Sequence, residues 1–275
     1  MARFVIVPQW QGSSSSRAMQ LVDGATAIAG DLPRSACTLV EVPAEAGESL
    51  ETNVRRLSTL RRVRELVQDA VAGVDGPAIV IGGDCGVSVG AVAAVAAANP
   101  AGDVAVVWLD AHADLNTPET SPSGAFTGMV LRAILGEGVD DMTLPVGAIT
   151  PDRVVLAGTR DLDAAEEEYI AEAGIRMLGV DSLADPESIV SAVAETGASR
   201  VFLHIDLDVL DPAAVAGLAF PVPFGARPVD LVATIKALRA RFPLAGAAIT
   251  EFSPSSADGA VEDLGTILRI VGALV

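Results

Sequence analysis

Short runs of Val, Ile, Leu and Ala recur along the chain, separated by longer stretches in which apolar residues return every three or four positions. The runs at residues 4–7, 38–42, 78–81, 104–110, 154–158, 175–178, 201–207 and 247–252 read as strands. Their apolar positions are consecutive rather than alternating, as in strands covered on both faces. Helical spacing between them predicts helices at residues 17–29, 53–74, 87–98, 127–135, 164–173, 186–195, 228–241 and 261–275. In the second of these, Leu57, Leu60, Val63, Val67 and Val71 form one stripe. Arg55, Arg56, Arg61, Arg62 and Arg64 take the other faces, so this helix is expected at the surface, its arginines solvated or in a subunit contact. Alternation of strand and helix predicts an α/β fold of three layers, a mostly parallel sheet of about eight strands with helices on both faces. Residues 1–275 are expected to form a single domain, because no repeat or linker interrupts the pattern. Residues 11–16 and 116–124 read as polar loops.

Composition narrows the partners. A chain of 275 residues that is 51% hydrophobic can bury a large core. The net charge of −18 repels phosphates, which argues against nucleic acid and fits a cationic small molecule better. Two cysteines, Cys37 and Cys85, exclude a disulfide framework, and Cys37 reads as core. The first ten residues lack the pattern of a secretory leader, so a cytoplasmic location is expected. The longest apolar run, residues 87–98, is too short to span a bilayer, and no membrane role is expected.

The chemistry is concentrated at two strand ends. Asp110, His112 and Asp114 close one strand, and Asp206 and Asp208 close another about ninety residues later. Residues two apart on an extended backbone share a face, so each set converges on one side of its strand. Carboxylates ~4 Å apart would repel by on the order of 4 kcal/mol at an effective dielectric near 20. A pair of hard divalent cations removes that cost. Ligands of parallel sheets gather beyond the carboxyl ends of strands, where these motifs lie.

With Gly82-Gly83-Asp84-Cys85, Asp110-Ala111-His112-Ala113-Asp114-Leu115-Asn116 and the run from Ile205 to Pro212, the chain resembles the arginase (ureohydrolase) family. Residues 158–163 and 249–252 extend the resemblance over most of the chain. It implies an arginase-like fold and two Mn²⁺ per subunit. Asp110 and Asp206 would bridge the ions, Asp114 and Cys85 would complete one shell, and His112 and Asp208 the other. Such a pair can ionise a bridging water at neutral pH for attack on a guanidinium carbon. Glu251 would hold the guanidinium, and Asp114 would pass a proton to the departing amine. Asn116, Ser121 and Ser123 would bind an α-carboxylate, and Asp163 and Glu166 an α-amino group, which implies a guanidino amino acid as substrate. A homo-oligomer, trimer or hexamer, is expected on the same grounds.

The chain departs from the family pattern in ways that bear on substrate. Cys85 stands where the family carries a metal-binding His, and this softer ligand could favour another divalent ion. Thr127 stands where arginases carry a proton-shuttling His; the chain's two histidines are His112 and His204. Ala125 replaces a polar residue, and Phe220 lies near a position where arginases place a Thr. Residues 116–120 and 128–131 resemble the branch that hydrolyses N-omega-hydroxy-L-arginine, a less basic substrate that would depend less on a shuttle. Hydrolysis of that compound or of L-arginine, giving ornithine with hydroxyurea or urea, is therefore expected. Agmatine, guanidinobutyrate and formiminoglutamate remain alternative substrates, and a metal-binding relative without turnover the alternative class. A single-zinc deacetylase on the same broad fold is disfavoured, because no paired-histidine centre can be assembled. Among neighbouring residues, Asp84 reads as a helix cap, Arg160 and Asp161 as a structural pair, and His204 as a hydrogen-bonding residue behind the metal ligands.

Overall fold

The structure is a computed structural model and describes residues 2–275. Its eight strands are β1 Arg3–Val7, β2 Cys37–Leu39, β3 Ala78–Gly82, β4 Val104–Leu109, β5 Val154–Ala157, β6 Arg176–Leu178, β7 Arg200–Asp206 and β8 Leu244–Thr250. The helices are α1 Gln20–Gly30, α2 Leu57–Ala72, α3 Val87–Ala98, α4 Val130–Ile134, α5 Ala164–Ala173, α6 Pro186–Glu195, α7 Pro228–Arg241 and α8 Ala257–Leu274. All strands join one sheet in the order β2-β1-β3-β8-β7-β4-β5-β6, and every pairing is parallel, in line with the expected mostly parallel sheet of about eight strands.

The two-residue period of the strands separates the core into two layers. Ile79, Ile81, Val107, Leu109, Leu203 and Ile205 face one side, against α1, α6, α7 and α8. Val80, Val106, Trp108, Phe202 and Ala248 face the other, against α2, α3, α4 and α5. Because both faces are buried, β3 and β4 are apolar at every position, which is why their sequences show no alternation.

Boundaries differ from the sequence reading where local backbone chemistry overrides apolar spacing. Arg56 is left-handed (φ 59°), so α2 starts at Leu57 rather than residue 53, and the Arg56 guanidinium turns back to the carbonyls of Gln11 and Ser13. The helix expected at residues 127–135 is a 3-10 turn, Phe126–Met129, followed by the short α4. Ser256 caps α8 by accepting from Gly259 N, which starts that helix at Ala257, ahead of the expected residue 261. β2 is short and at the sheet edge, which leaves Cys37 only half-buried instead of in the core. Among the described residues, no helix is long and apolar enough to cross a membrane.

Strand order positions the site. β3, β8, β7 and β4 are the four central strands, neighbours in space yet drawn from two distant parts of the chain, residues 78–109 and 200–250. Gly83 follows β3 where a Cβ would meet the carbonyl oxygen of Gln9 at 1.8 Å, so only glycine lets the β3 loop lie against the β1 loop.

Candidate metal centre and its pocket

Each central strand delivers one part of the site at its carboxyl end. Cys85 follows β3, Glu251 follows β8, Asp206 ends β7 and leads to Asp208, and Asp110, His112 and Asp114 follow β4. The carboxylates are buried and aimed by backbone amides. His112 N donates to Asp110 Oδ1 at 2.7 Å, Ala111 N to Asp208 Oδ1 at 3.0 Å, and Asp208 N to Asp206 Oδ1 at 2.8 Å. Trp108 Nε1 donates to Asp110 Oδ2 at 3.0 Å. These donors leave Asp206 Oδ2 against the Cys85 thiol at 3.0 Å and Asp208 Oδ2 at 3.0 Å from His112 Nδ1.

Three sets of ligand atoms lie close enough to hold an ion, each within 4.8 Å of one another. They are Asp110, His112 and Asp208; Cys85, Asp206 and Glu251; and Cys85, Asp110, Asp114 and His204. Asp114 and Glu251 adopt left-handed backbone at φ 54° and 65°. For non-glycine residues this costs ~1–3 kcal/mol each, a strain typical of sites whose geometry the surrounding fold imposes. Asp114 Oδ2, Glu251 Oε2 and His204 Nε2 are buried without a hydrogen-bond partner among the described residues. Orphaned oxygens beside Asp110, Asp206 and Asp208 are what a divalent cation satisfies, so the residues present fit the metal the sequence implies.

Without cation charge the cluster is electrostatically frustrated. Burial, then the neighbouring carboxylates, pushes Asp114, Asp206 and Glu251 well above the ordinary carboxylate range. Burial and then Asp110 raise Asp208 to about 6. Burial and the Asp206 carboxylate raise the Cys85 thiol. For His112, burial opposes the charge but hydrogen bonding to Asp110 and Asp208 outweighs it and holds the ring protonated. His204, wholly buried, is shifted the opposite way by desolvation.

Cys85, His112, Asp114, Asp206, Asp208 and Glu251 line the floor of a cleft of about 620 Å³, including its open mouth. The residues expected to recognise the amino-acid end, Asn116, Ser121, Ser123, Asp163 and Glu166, all line the same cleft. Their hydrogen bonds divide the roles. Glu166 Oε1 accepts from Leu115 N at 2.9 Å and Oε2 from Asp163 N at 2.9 Å, so its carboxylate is occupied in fixing the loop after β4 to the start of α5. Asp163 Oδ2 accepts from Asn116 Nδ2 at 2.8 Å, and Asp163 remains exposed at the rim of the cleft. The Ser121 and Ser123 hydroxyls accept from Gly124 N and Ala125 N, which leaves their protons free to donate.

Thr127 donates to Glu251 Oε1 at 3.0 Å, and Cys85 N lies 3.3 Å from the same oxygen. Apolar and polar patterning alone did not single out Ser14, another lining residue. The signal available was the polar loop at residues 11–16 directly after β1, held by Gly12 N donating to Asp84 Oδ2 at 2.8 Å. Asp84 thus clamps that loop, through Gly12 and Gln9, besides accepting from Gly86 N at the start of α3. Arg160 does not form the expected pair with Asp161; its guanidinium donates to the carbonyls of Gly158, Asp208, Val222 and Pro223.

The Arginase family model matches residues 10–268. The chain belongs to the arginase family. It is 33% identical over 214 residues to the N(omega)-hydroxy-L-arginine amidinohydrolase of Streptomyces lavendulae, covering 78% of this chain and 74% of that one. The arginase of Bacillus caldovelox is 37% identical over 199 residues, 67% of this chain and 66% of its own. In structure, the chain superposes on the Entamoeba histolytica arginase in complex with L-ornithine with a TM-score of 0.88 at 26% identity, covering 100% of this chain and 99% of that one. Family membership makes the chain a hydrolase of linear amidine C–N bonds.

Proposed function

We propose that this arginase-family member is a binuclear manganese amidinohydrolase that takes N-omega-hydroxy-L-arginine in preference to L-arginine, releasing ornithine and hydroxyurea or urea. The observation that carries this reading is one cleft lined by Asp206, Asp208, His112, Asp114 and Cys85 together with Glu251 and the polar residues Asn116, Ser121, Ser123 and Asp163. Asp110, buried beneath, reaches both sides of the cluster. The name of the Streptomyces lavendulae relative and the L-ornithine in the Entamoeba histolytica complex agree with such a substrate.

Asp110 and Asp206 would be shared between two ions, Cys85 and Asp114 would hold one, and His112 and Asp208 the other. When bound, the ions supply Lewis acidity that ionises water near neutral pH. Glu251 presents its unpartnered Oε2 to the cationic guanidino group, and Thr127 and Cys85 N fix its other oxygen. Asp114, whose burial lets it carry a proton, delivers that proton to the departing amine nitrogen as the carbon–nitrogen bond breaks. Asn116, Ser121 and Ser123 orient the α-carboxylate by donating hydrogen bonds, Asp163 accepts from the α-amino group, and Glu166 acts by holding the Asp163 backbone. A one-domain, cytoplasmic homo-oligomer completes the reading.

The preference for the hydroxylated substrate rests on Thr127. Its hydroxyl is spent on Glu251, and His112, beside Asp110 and Asp208, is the only histidine lining the cleft. A substrate whose leaving side needs less proton management suits such a site. Ornithine release from Mn²⁺-loaded protein should show kcat/KM for N-omega-hydroxy-L-arginine at least ~10-fold above that for L-arginine, a difference of about 1.4 kcal/mol in activation free energy. Equal or faster turnover of L-arginine would reject the preference.

Proton linkage gives a second expected result. The unfolded chain binds fewer protons than the cation-free fold at Asp208, Asp114, Asp206, Glu251 and His112, so that fold loses stability as pH rises through about 6. The Asp110 and His204 contributions run the other way, because both bind a proton less readily in the fold than in the unfolded chain, and they are lost as pH falls. Cation binding needs these groups deprotonated, so the gain in melting temperature on adding Mn²⁺ should grow from about pH 5.5 to about pH 8. A gain that is flat or shrinks with pH, measured by thermal scanning with and without Mn²⁺, would contradict the cluster's role.

A further inference from the structure

We propose that His204 is a direct nitrogen ligand of the ion on the Cys85 side of the centre, so that β7 supplies the imidazole that the β3 loop lacks. The proposal rests on the binuclear-metal reading above and extends it to a residue outside the expected ligand set.

The ring is fixed before any ion arrives. His204 and Trp108 are register partners on adjacent strands, with side chains on the same sheet face, and their rings stack at a centroid distance of 3.5 Å and 12°. The partner on the opposite strand is Ala248, small enough to leave room, and Ser88 in the first turn of α3 sits 2.8 Å from Nδ1. With Nδ1–H donating to the Ser88 hydroxyl, the Nε2 lone pair points at the cluster.

Nε2 is fully buried and has no hydrogen-bond partner among the described residues. The nearest carboxylate oxygen, Asp110 Oδ2, is 3.7 Å away and already accepts from Trp108 Nε1 at 3.0 Å. That separation is too long for a hydrogen bond, which disfavours a role confined to orienting Asp110. One ligand atom from each of Cys85, Asp110, Asp114 and His204 falls within 4.8 Å of the others. Donors around one ion with bonds of ~2.1–2.4 Å are separated by up to roughly 4.8 Å, so the set has the size of a coordination shell. The charges agree with this. A thiolate and two carboxylates already over-neutralise a divalent ion, and a neutral imidazole fills a further position without adding charge.

The chain has only two histidines, so the ligand count can be read on the unaltered protein. Protein with isotope-labelled histidine nitrogen, loaded with NMR-active cadmium, should show cadmium–nitrogen coupling at two imidazoles, His112 and His204. His204→Gln should lose one coupling and weaken cadmium at the Cys85 side by at least ~10-fold, the lower limit for residues that merely support a ligand. Coupling at His112 alone, with both sites filled, would overturn the proposal while leaving the binuclear centre intact. Failure to bind cadmium or Mn²⁺ at all would remove the binuclear reading and this assignment together. The wild-type spectrum decides even if the variant does not fold.

Discussion

Asp206→Asn is expected to cost roughly 10³-fold in turnover of N-omega-hydroxy-L-arginine, about 4 kcal/mol of transition-state stabilisation, and to reduce bound Mn²⁺ below two per chain. The size follows from the residue's position. Asp206 ends β7 beside β8 on one flank and β4 on the other, with Oδ1 held by Asp208 N at 2.8 Å and Oδ2 at 3.0 Å from the Cys85 thiol. It touches both halves of the cluster. Asparagine keeps the shape and the Asp208 N contact but removes a negative charge and one anionic ligand atom. The buried thiol, which Asp206 pushes toward its neutral form when no cation is present, would then face a weaker field. Metal analysis of the dialysed variant beside an ornithine assay checks this; two tightly held Mn²⁺ with unchanged turnover would exclude Asp206 as a shared ligand. Circular dichroism should remain native, because no apolar packing is altered.

Much of this arrangement could be read from the chain, for a physical reason. Strands buried on both faces must be apolar throughout, so charged residues at the ends of β4 and β7 mark where the core stops and chemistry begins. Asp110, His112, Asp114, Asp206 and Asp208 are legible because charged residues in two-residue spacing close apolar runs, although the extended backbone expected there is absent. β4 ends at Leu109, Asp114 is left-handed at φ 54° and Asp208 lies in a 3-10 turn, so turns rather than strand alternation bring the set together. Cys85 and Glu251 carry no such local signal and were reached through the family resemblance. Strand order is harder to see, since β3 and β8 are adjacent in space while most of the chain lies between them. Ligand proximity across β3, β8, β7 and β4 therefore belongs to the fold and not to any window of sequence. Glu166 shows the opposite limit. A glutamate three residues after Asp163 fits both a capping box and a ligand-binding site, and the structure places both carboxylate oxygens on backbone amides. Thr127 stands out in the sequence as the missing shuttle, but its hydrogen bond to Glu251 appears only once the β8 end is folded against the 3-10 turn at Phe126–Met129.

That contact makes Glu251→Gln the second large effect. Glu251 Oε1 is shared by the Thr127 hydroxyl and Cys85 N, while Oε2 is buried and unpartnered at the cleft floor. Burial and then the nearby Asp84 carboxylate push its proton affinity up, so in the empty cleft the neutral acid is favoured, and an arriving guanidino cation is what makes the charged form pay its way. Glutamine retains the acceptor for Thr127 but cannot neutralise the cation, and its amide can place an N–H where an acceptor is needed. Losing one partner of a buried, hydrogen-bonded charge pair costs ~2–5 kcal/mol, so kcat/KM should fall by roughly 10²-fold or more. Bound Mn²⁺ should stay at two per chain, which separates substrate contact from ligation. Glu251 also groups with Cys85 and Asp206 within ligand range. A variant that loses Mn²⁺ in step with activity would therefore reassign Glu251 to the metal shell, whereas full metal occupancy with collapsed kcat/KM would leave it as the residue that grips the guanidino group.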